Sequence, residues 1–270
     1  ENINDIKICI IGLGFVGGSI FKSFKMKDIN VNGYDKYKPS DVKNMTEMFD
    51  YDILFLCLPT LFDEKINQYD KKSIYECLNY LKGYTGLIVL KSTIEPETTD
   101  KLSIQFPELN FIHNPEFLTA RTCFEDFHNQ KHIVLGKGLN CSIDNINKLK
   151  NLYTTYYPDA DISICSSLES ESMKIFCNSF YASKIMLFNE YKLLCEKNKS
   201  DFNTIKNLML KNGWINFMHT DVPGHDGKFG YGGDCFPKDT KALNQYMNTK
   251  KSPNLIIDSV IKQCENIRTL

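Results

Sequence analysis

A β-prone run at residues 6–11 (Ile-Lys-Ile-Cys-Ile-Ile) leads directly into Gly12-Leu13-Gly14-Phe15-Val16-Gly17. A G-x-G-x-x-G by itself is weak evidence. Here it follows a strand, opens a helix, and precedes a second short strand at 30–35 that ends on an acidic residue, Asp35. That full context is a dinucleotide fingerprint. Gly12 permits the tight turn, Gly14 lets a pyrophosphate approach, and Gly17 allows close packing of helix on strand. The helix start then offers unpaired N–H groups to the phosphates. Asp35 is expected to accept hydrogen bonds from both ribose hydroxyls and to repel a 2′-phosphate, which favours NAD over NADP.

The β pattern recurs. Apolar, β-branched runs lie at 51–58, 86–92, 110–113, 132–136 and 162–166, mostly separated by helical or mixed polar segments. Strands alternating with helices predict a parallel sheet covered on both faces. Residues 1–166 are therefore expected to form a Rossmann-type, doubly wound α/β domain. Beyond 166 the pattern changes. From Glu169 to about Lys197 there is neither proline nor glycine, and Met173, Phe176, Phe180, Leu187, Tyr191 and Leu194 recur at helical spacing. At 1.5 Å per residue this predicts a spine helix of about 43 Å. Further helices are expected at 201–212, N-capped by Ser200 or Asp201, at 239–248 and at 253–268. Residues 167–270 thus read as an all-α domain built on the long helix. The apolar stripe of helix 169–197 is too long for so small a domain to cover, which predicts a homodimer centred on it.

Composition excludes several partners. The net charge is −1 and no basic run occurs, so nucleic acid and anionic membrane are not expected ligands. No apolar stretch approaches a membrane span, and no signal-peptide pattern opens the chain, although it begins at Glu1. The ten cysteines include no C-x-x-C pair, which argues against a zinc site or a disulfide framework and for a reducing, cytoplasmic setting. No metal is expected.

Cys235 has a chemically suggestive neighbourhood. Five of the 15 glycines fall between Gly224 and Gly233, immediately before it, and Asp239 follows four residues later. Glycines let backbone N–H groups approach a ligand, and a thiolate adds readily to a carbonyl. Segments 58–60, 91–93 and 114–118 end predicted strands, and the carboxyl ends of parallel strands are where such sheets bind ligands. Thr93 and Glu116 are thereby expected to face the cofactor. Lys174 and Asn178, four apart, share one face of the spine helix.

These segments together resemble the UDP-glucose/GDP-mannose dehydrogenase family. The match is collinear through nearly the whole chain: GLGFVG at 12–17, LPT at 58–60, KST at 91–93, NPEFL at 114–118, ESESMKIFCNSFYASKIMLFNE at 169–190 and GYGGDCFPKDTKAL at 230–243. The last motif looks most like the UDP-glucose branch. The resemblance implies a twofold, NAD-dependent oxidation of a primary alcohol on a nucleotide sugar to a uronic acid. Cofactor contacts are then expected from Gly12, Leu13, Gly14, Phe15, Val16, Gly17, Asp35, Lys36, Pro59, Thr60, Ser92 and Thr93. Substrate contacts are expected from Glu116, Phe117, Leu118, Lys174, Asn178, Gly230, Tyr231, Gly232 and Cys235.

It also implies roles. Cys235 captures the aldehyde. Lys174 and Asp239, with a water between them, deprotonate the alcohol, and Asn178 joins Lys174 at the oxyanion. Glu116, with Thr93, activates the hydrolytic water. Relatives acting on GDP-mannose or an N-acetylated UDP-sugar are the alternatives within the family, with a non-catalytic NAD-binding dimer as the alternative outside it. Two positions depart from the family pattern: Ala120 stands where a second glutamate is usual, and Asp234 where a serine usually precedes the cysteine. Family members commonly continue into a further nucleotide-binding domain, which these 270 residues are expected to lack.

Overall fold

The computed structural model describes residues 3–269. The chain forms two compact units, Glu1–Leu61 with Asp70–Lys174, and Phe62–Tyr69 with Ile175–Leu270. The elements of the first unit are β1 (Ile8–Ile11), α1 (Phe15–Met26), β2 (Val31–Tyr34) and β3 (Ile53–Leu56). Then, in the second unit, comes a small hairpin of β4 (Phe62–Asp63) and β5 (Gln68–Tyr69). The first unit resumes with α2 (Lys72–Tyr80), β6 (Leu87–Leu90), α3 (Thr98–Gln105), β7 (Asn110–His113), α4 (Cys123–His128), β8 (His132–Lys137), α5 (Ile143–Tyr156) and β9 (Asp161–Ser166). The chain crosses to the second unit inside α6 (Ser167–Asn198), followed by α7 (Phe202–Lys211), α8 (Phe236–Thr249) and α9 (Leu255–Ile267).

The first unit is a seven-stranded sheet in the order β2-β1-β3-β6-β7-β8-β9. Its central strands β1, β3 and β6 are apolar at every position because both faces are buried. Ile8, Ile10, Ile53, Phe55, Leu87 and Val89 lie in one core cluster, whereas Cys9, Ile11, Leu54, Leu56, Ile88 and Leu90 lie in the other. The alternation follows the two-residue period of a strand, with helices covering each side.

One junction departs from the parallel expectation: β8 runs antiparallel to β7, pairing Ile112 with Lys137 and His113 with Gly136. The remaining neighbours in the sheet are parallel. The β7–β8 connection carries a six-residue helix, α4, which packs against α1. It stays at the carboxyl end of β7 and so delivers the chain into an antiparallel neighbour. A crossover returning to the strand's start would have given a parallel one.

The start of α6 is seated on the sheet, where a Cβ at Gly136 would lie 2.5 Å from the Cβ of Ser170. Ser170 in turn hydrogen-bonds His113 Nδ1 at 2.8 Å. In the second unit, Tyr69 of the hairpin packs with Ile175, Ala242 and Leu243. Of the two sequence candidates for the α7 cap, it is Asp201 that accepts from the Thr204 amide, at 2.8 Å.

Candidate active site

Within the first unit, the carboxyl ends of β1, β3, β6 and β7 share one edge, because these four strands are parallel neighbours. Gly12 lies at φ +91, and a Cβ there would sit 2.5 Å from the Cys57 carbonyl oxygen, so glycine is required. A Cβ at Gly17 would fall 1.8 Å from the Gly12 oxygen. At Gly14, by contrast, a Cβ would meet nothing within 4 Å, and this residue caps α1 without a side-chain hydrogen bond. A clear approach to an uncapped helix N-terminus fits a pyrophosphate.

Asp35 is bound into this turn. Its Oδ2 accepts from the Leu13 amide at 2.8 Å, and its Oδ1 from the amides of Tyr37 at 2.9 Å and Lys38 at 3.1 Å. Lys38 Nζ donates to the Leu13 carbonyl at 2.9 Å. Partial burial pushes the Asp35 carboxyl up. The amides of Leu13 and Tyr37, with the ammonium and amide of Lys38, outweigh this and hold it below the usual carboxylate range. The sequence points to Asp35 as a ribose acceptor; in the structure its carboxylate binds the amides of the glycine turn and of the segment after β2.

Lys36 and Pro59, expected beside the cofactor, are exposed on this unit. The β3 and β6 ends are laced together, with Thr60 Oγ1 donating to the Thr93 carbonyl at 2.7 Å and Ser92 Oγ to the Leu58 carbonyl at 2.6 Å. Beneath them lies a buried polar group whose role the sequence did not reveal. Lys91 Nζ donates to Asn114 Oδ1 at 3.0 Å, the same oxygen accepts from the Tyr153 hydroxyl at 2.6 Å, and Asn114 Nδ2 donates to the Val134 carbonyl at 2.8 Å. Burial brings Lys91 down to about 8. Asn114 thereby fixes the loop that follows.

In that loop Glu116 Oε2 accepts from the Leu118 amide at 2.7 Å, and Glu116 Oε1 faces Lys174 Nζ at 3.3 Å in a nearly buried ion pair. The Phe117 ring is partly exposed, with the Lys174 ammonium 5.6 Å from its centroid. Three sequence-selected residues, Glu116, Phe117 and Lys174, thus come together.

In the second unit Cys235 is exposed and stands at the N-cap of α8, with no side-chain cap and Pro237 in the first turn. Asp239, one turn on, is fully buried and already satisfied. Its Oδ1 accepts from the Tyr69 hydroxyl and from Lys238 Nζ at 2.7 Å, and its Oδ2 from Asn178 Nδ2 at 2.6 Å. Lys238 also sits 4.7 Å from the Tyr69 ring centroid. The sequence brought forward Asn178 and Asp239 but missed Tyr69 and Lys238. This hydrogen-bond set makes Asp239 an anchor for Asn178 rather than a free base.

Of the glycine-loop residues expected at the substrate, Tyr231 is buried, its hydroxyl 3.3 Å from Thr240 Oγ1, and Gly230 N donates to Asn189 Oδ1 at 2.8 Å. None of the ten cysteines is in a disulfide. Among the described residues no His, Cys, Asp or Glu cluster could hold a metal, and no helix is long and apolar enough to cross a membrane.

The glycine turn, the uncapped α1 and the acidic residue just after β2 define the class, a domain that binds NAD. Residues 38–157 match the NAD binding domain of the UDP-glucose/GDP-mannose dehydrogenase family, and residues 168–266 match that family's central domain. The chain belongs to this family. It is 26% identical to a UDP-glucose 6-dehydrogenase of Campylobacter jejuni, over 96% of this chain and 72% of that protein. It is 32% identical to the enzyme of the same name from Rickettsia bellii, over 72% of this chain and 44% of that one. The chain thus spans about half the length of several curated relatives it matches.

In fold it is similar to a UDP-glucose dehydrogenase from Pyrobaculum islandicum, with a TM-score of 0.86 at 22% identity, over 98% of this chain and 69% of that one. A UDP-D-ManNAc dehydrogenase from Pyrococcus horikoshii gives 0.81 at 18% identity, over 97% and 69%.

Proposed function

We propose that this chain catalyses the NAD-dependent, four-electron oxidation of UDP-glucose to UDP-glucuronate. The observation that carries this reading is the exposed Cys235 thiol at the uncapped N-terminus of α8, directly after the glycine loop. UDP-glucose is the substrate in the names of the curated relatives. NAD, when bound, accepts one hydride from C6 in each of two successive steps.

The residues of the chain supply the rest. The C6 hydroxyl gives its proton to a water molecule as the first hydride leaves, Lys174 stabilises the alkoxide that develops, and Asn178, oriented by Asp239, is a second donor to that oxygen. Cys235 Sγ then adds to the aldehyde carbon to form a thiohemiacetal, which retains the intermediate. Loss of the second hydride leaves a thioester on Cys235. Water attacks its carbonyl carbon, the C–S bond breaks, and the thiol and a carboxylate are released. Glu116 takes the proton from that water, held in place by the Leu118 amide and Lys174. Thr93, whose carbonyl is tied to Thr60, lines the same edge of the sheet.

Cys235→Ser tests the covalent step. The variant is expected to bind NAD normally and to release at most one NADH per site, because a hydroxyl captures the aldehyde poorly. Two NADH per sugar at the wild-type rate would sink the thiohemiacetal route.

The assembly proposed with this activity is a homodimer through α6. Phe176, Phe180, Leu187, Tyr191 and Leu194 are all left exposed along it, an apolar stripe of the kind that marks an interaction surface. Light scattering at micromolar concentration is expected to give twice the chain mass, and a clean monomer would refute it. A cytoplasmic setting accords with ten cysteines outside any disulfide.

A further inference from the structure

Arg268 is one of two arginines in the chain, the other being Arg121. It follows α9 directly, at the C-cap. Its Nη1 donates to the Phe229 carbonyl at 3.0 Å and lies 3.5 Å from the Gly230 carbonyl, while its Nη2 donates to Asp226 Oδ2 at 2.5 Å. Three acceptors along one loop thus converge on one planar group. A guanidinium meets such a set with its fixed fork of donors, whereas a lysine ammonium is a single point on a flexible stem.

The glycine pattern of the loop agrees. A Cβ at Gly232 would lie 1.9 Å from Arg268 Nη2 and 2.6 Å from its Cζ, so the guanidinium lies against the Gly232 backbone. Gly232 is not among the positive-φ residues, and the three atoms nearest to a Cβ placed there all belong to the Arg268 guanidinium, which a side chain would displace. Gly230 lies at φ +72, and a Cβ there would sit 2.9 Å from Cys264 Sγ, so that glycine answers to backbone geometry as well. Cys264 Sγ also contacts the Tyr231 carbonyl at 3.4 Å, and Asn189 holds the Gly230 amide. From Asp226 to Gly232 the loop is gripped from α6, α9 and the α9 C-cap, and Cys235 follows three residues later.

We propose that Arg268 is a positioning residue: its guanidinium holds the 226–232 loop in the shape from which Cys235 is presented at the start of α8, and Gly232 is glycine to admit it. This deepens the proposed function and rests on its reading of Cys235 as the nucleophile, but the geometry can be tested without turnover.

Wild type, R268A, R268K, G232A and the R268A/G232A double variant are treated with iodoacetamide, and modification of Cys235 is followed by mass spectrometry alongside NADH formation from UDP-glucose. R268A is expected to slow Cys235 alkylation about threefold, the scale of a thiolate losing its place at a helix N-terminus. It is expected to lower kcat with UDP-glucose by about tenfold or more through misplacement of the thiol, with NAD affinity unchanged. R268K, which keeps the charge but not the fork, recovers less than half of either loss. G232A expels the guanidinium and so resembles R268A, yet adds nothing further in the R268A background.

Cys235 alkylation in R268A within experimental error of wild type, or additive effects of R268A and G232A, would overturn the proposal. If the wild type turns over no UDP-glucose, the proposed function fails, and the alkylation pattern across the five proteins still decides the role of Arg268.

Discussion

Glu171 lies on the part of α6 seated against the sheet and is fully buried. Its Oε1 accepts from the Thr99 amide at 2.7 Å and the Thr99 hydroxyl at 2.5 Å. It serves as the cap of α3, whose own N-cap residue, Glu97, sits at φ 76 and does not cap the helix with its side chain. Its Oε2 is buried with no hydrogen-bond partner. Desolvation outweighs the hydrogen bonds from Thr99 and the Glu97 backbone and raises the carboxyl from 4.5 to about 7, with Asp100 adding repulsion. The folded state therefore holds this proton more tightly than the unfolded chain, and stability falls as pH rises between those two values. At about 1.36 kcal/mol per pH unit, the loss amounts to about 3 kcal/mol.

Glu171→Gln keeps an oxygen for both Thr99 donors and cannot ionise. Its amide nitrogen enters the same unpartnered position as the O–H of the protonated acid. The free-energy difference between variant and wild type, from urea unfolding followed by circular dichroism, is expected to be near zero at pH 4. It should grow to about 3 kcal/mol in favour of the variant by pH 8. A difference that stays flat across this range would refute the argument that burial controls this carboxyl.

Asp35→Ala is expected to weaken NAD binding by about 1–3 kcal/mol, measured by calorimetry, since a charged acceptor is lost and the Leu13 amide is released; unchanged affinity would remove Asp35 from the cofactor site. Lys174→Ala should slow the first hydride transfer by about 10²-fold or more in a single-turnover measurement, and a normal first burst of NADH would exclude it from alkoxide stabilisation. Asn114→Ala deprives both the Lys91 ammonium and the Tyr153 hydroxyl of their shared acceptor and is expected to cost about 2–4 kcal/mol in denaturant unfolding; a loss under 1 kcal/mol would show that the buried group repacks.

The sheet was legible because its central strands are apolar on both faces and its glycine turn is punctuated by steric necessity at Gly12 and Gly17. The direction of β8 was not, because it depends on the route taken by the 114–131 connection, which no local pattern records. Cys235 was legible from the crowding of glycines before it. Tyr69 was hidden in a hairpin with two-residue strands, too short for any period, and it is 170 residues from the carboxylate it binds. Glu171 stands in a Glu-Ser-Glu-Ser stretch at 169–172 that reads as a polar helix start, and only packing against α3 reveals that it is buried. Arg268 is a lone cation near a helix end, a position that composition leaves among solvated residues.

The most direct measurement is the yield of NADH per UDP-glucose consumed by the wild-type chain with NAD in excess. Two NADH per sugar, with UDP-glucuronate as the product, is the result predicted by capture at Cys235 followed by hydrolysis. One NADH with free aldehyde released, or none with every nucleotide sugar tried, would contradict it.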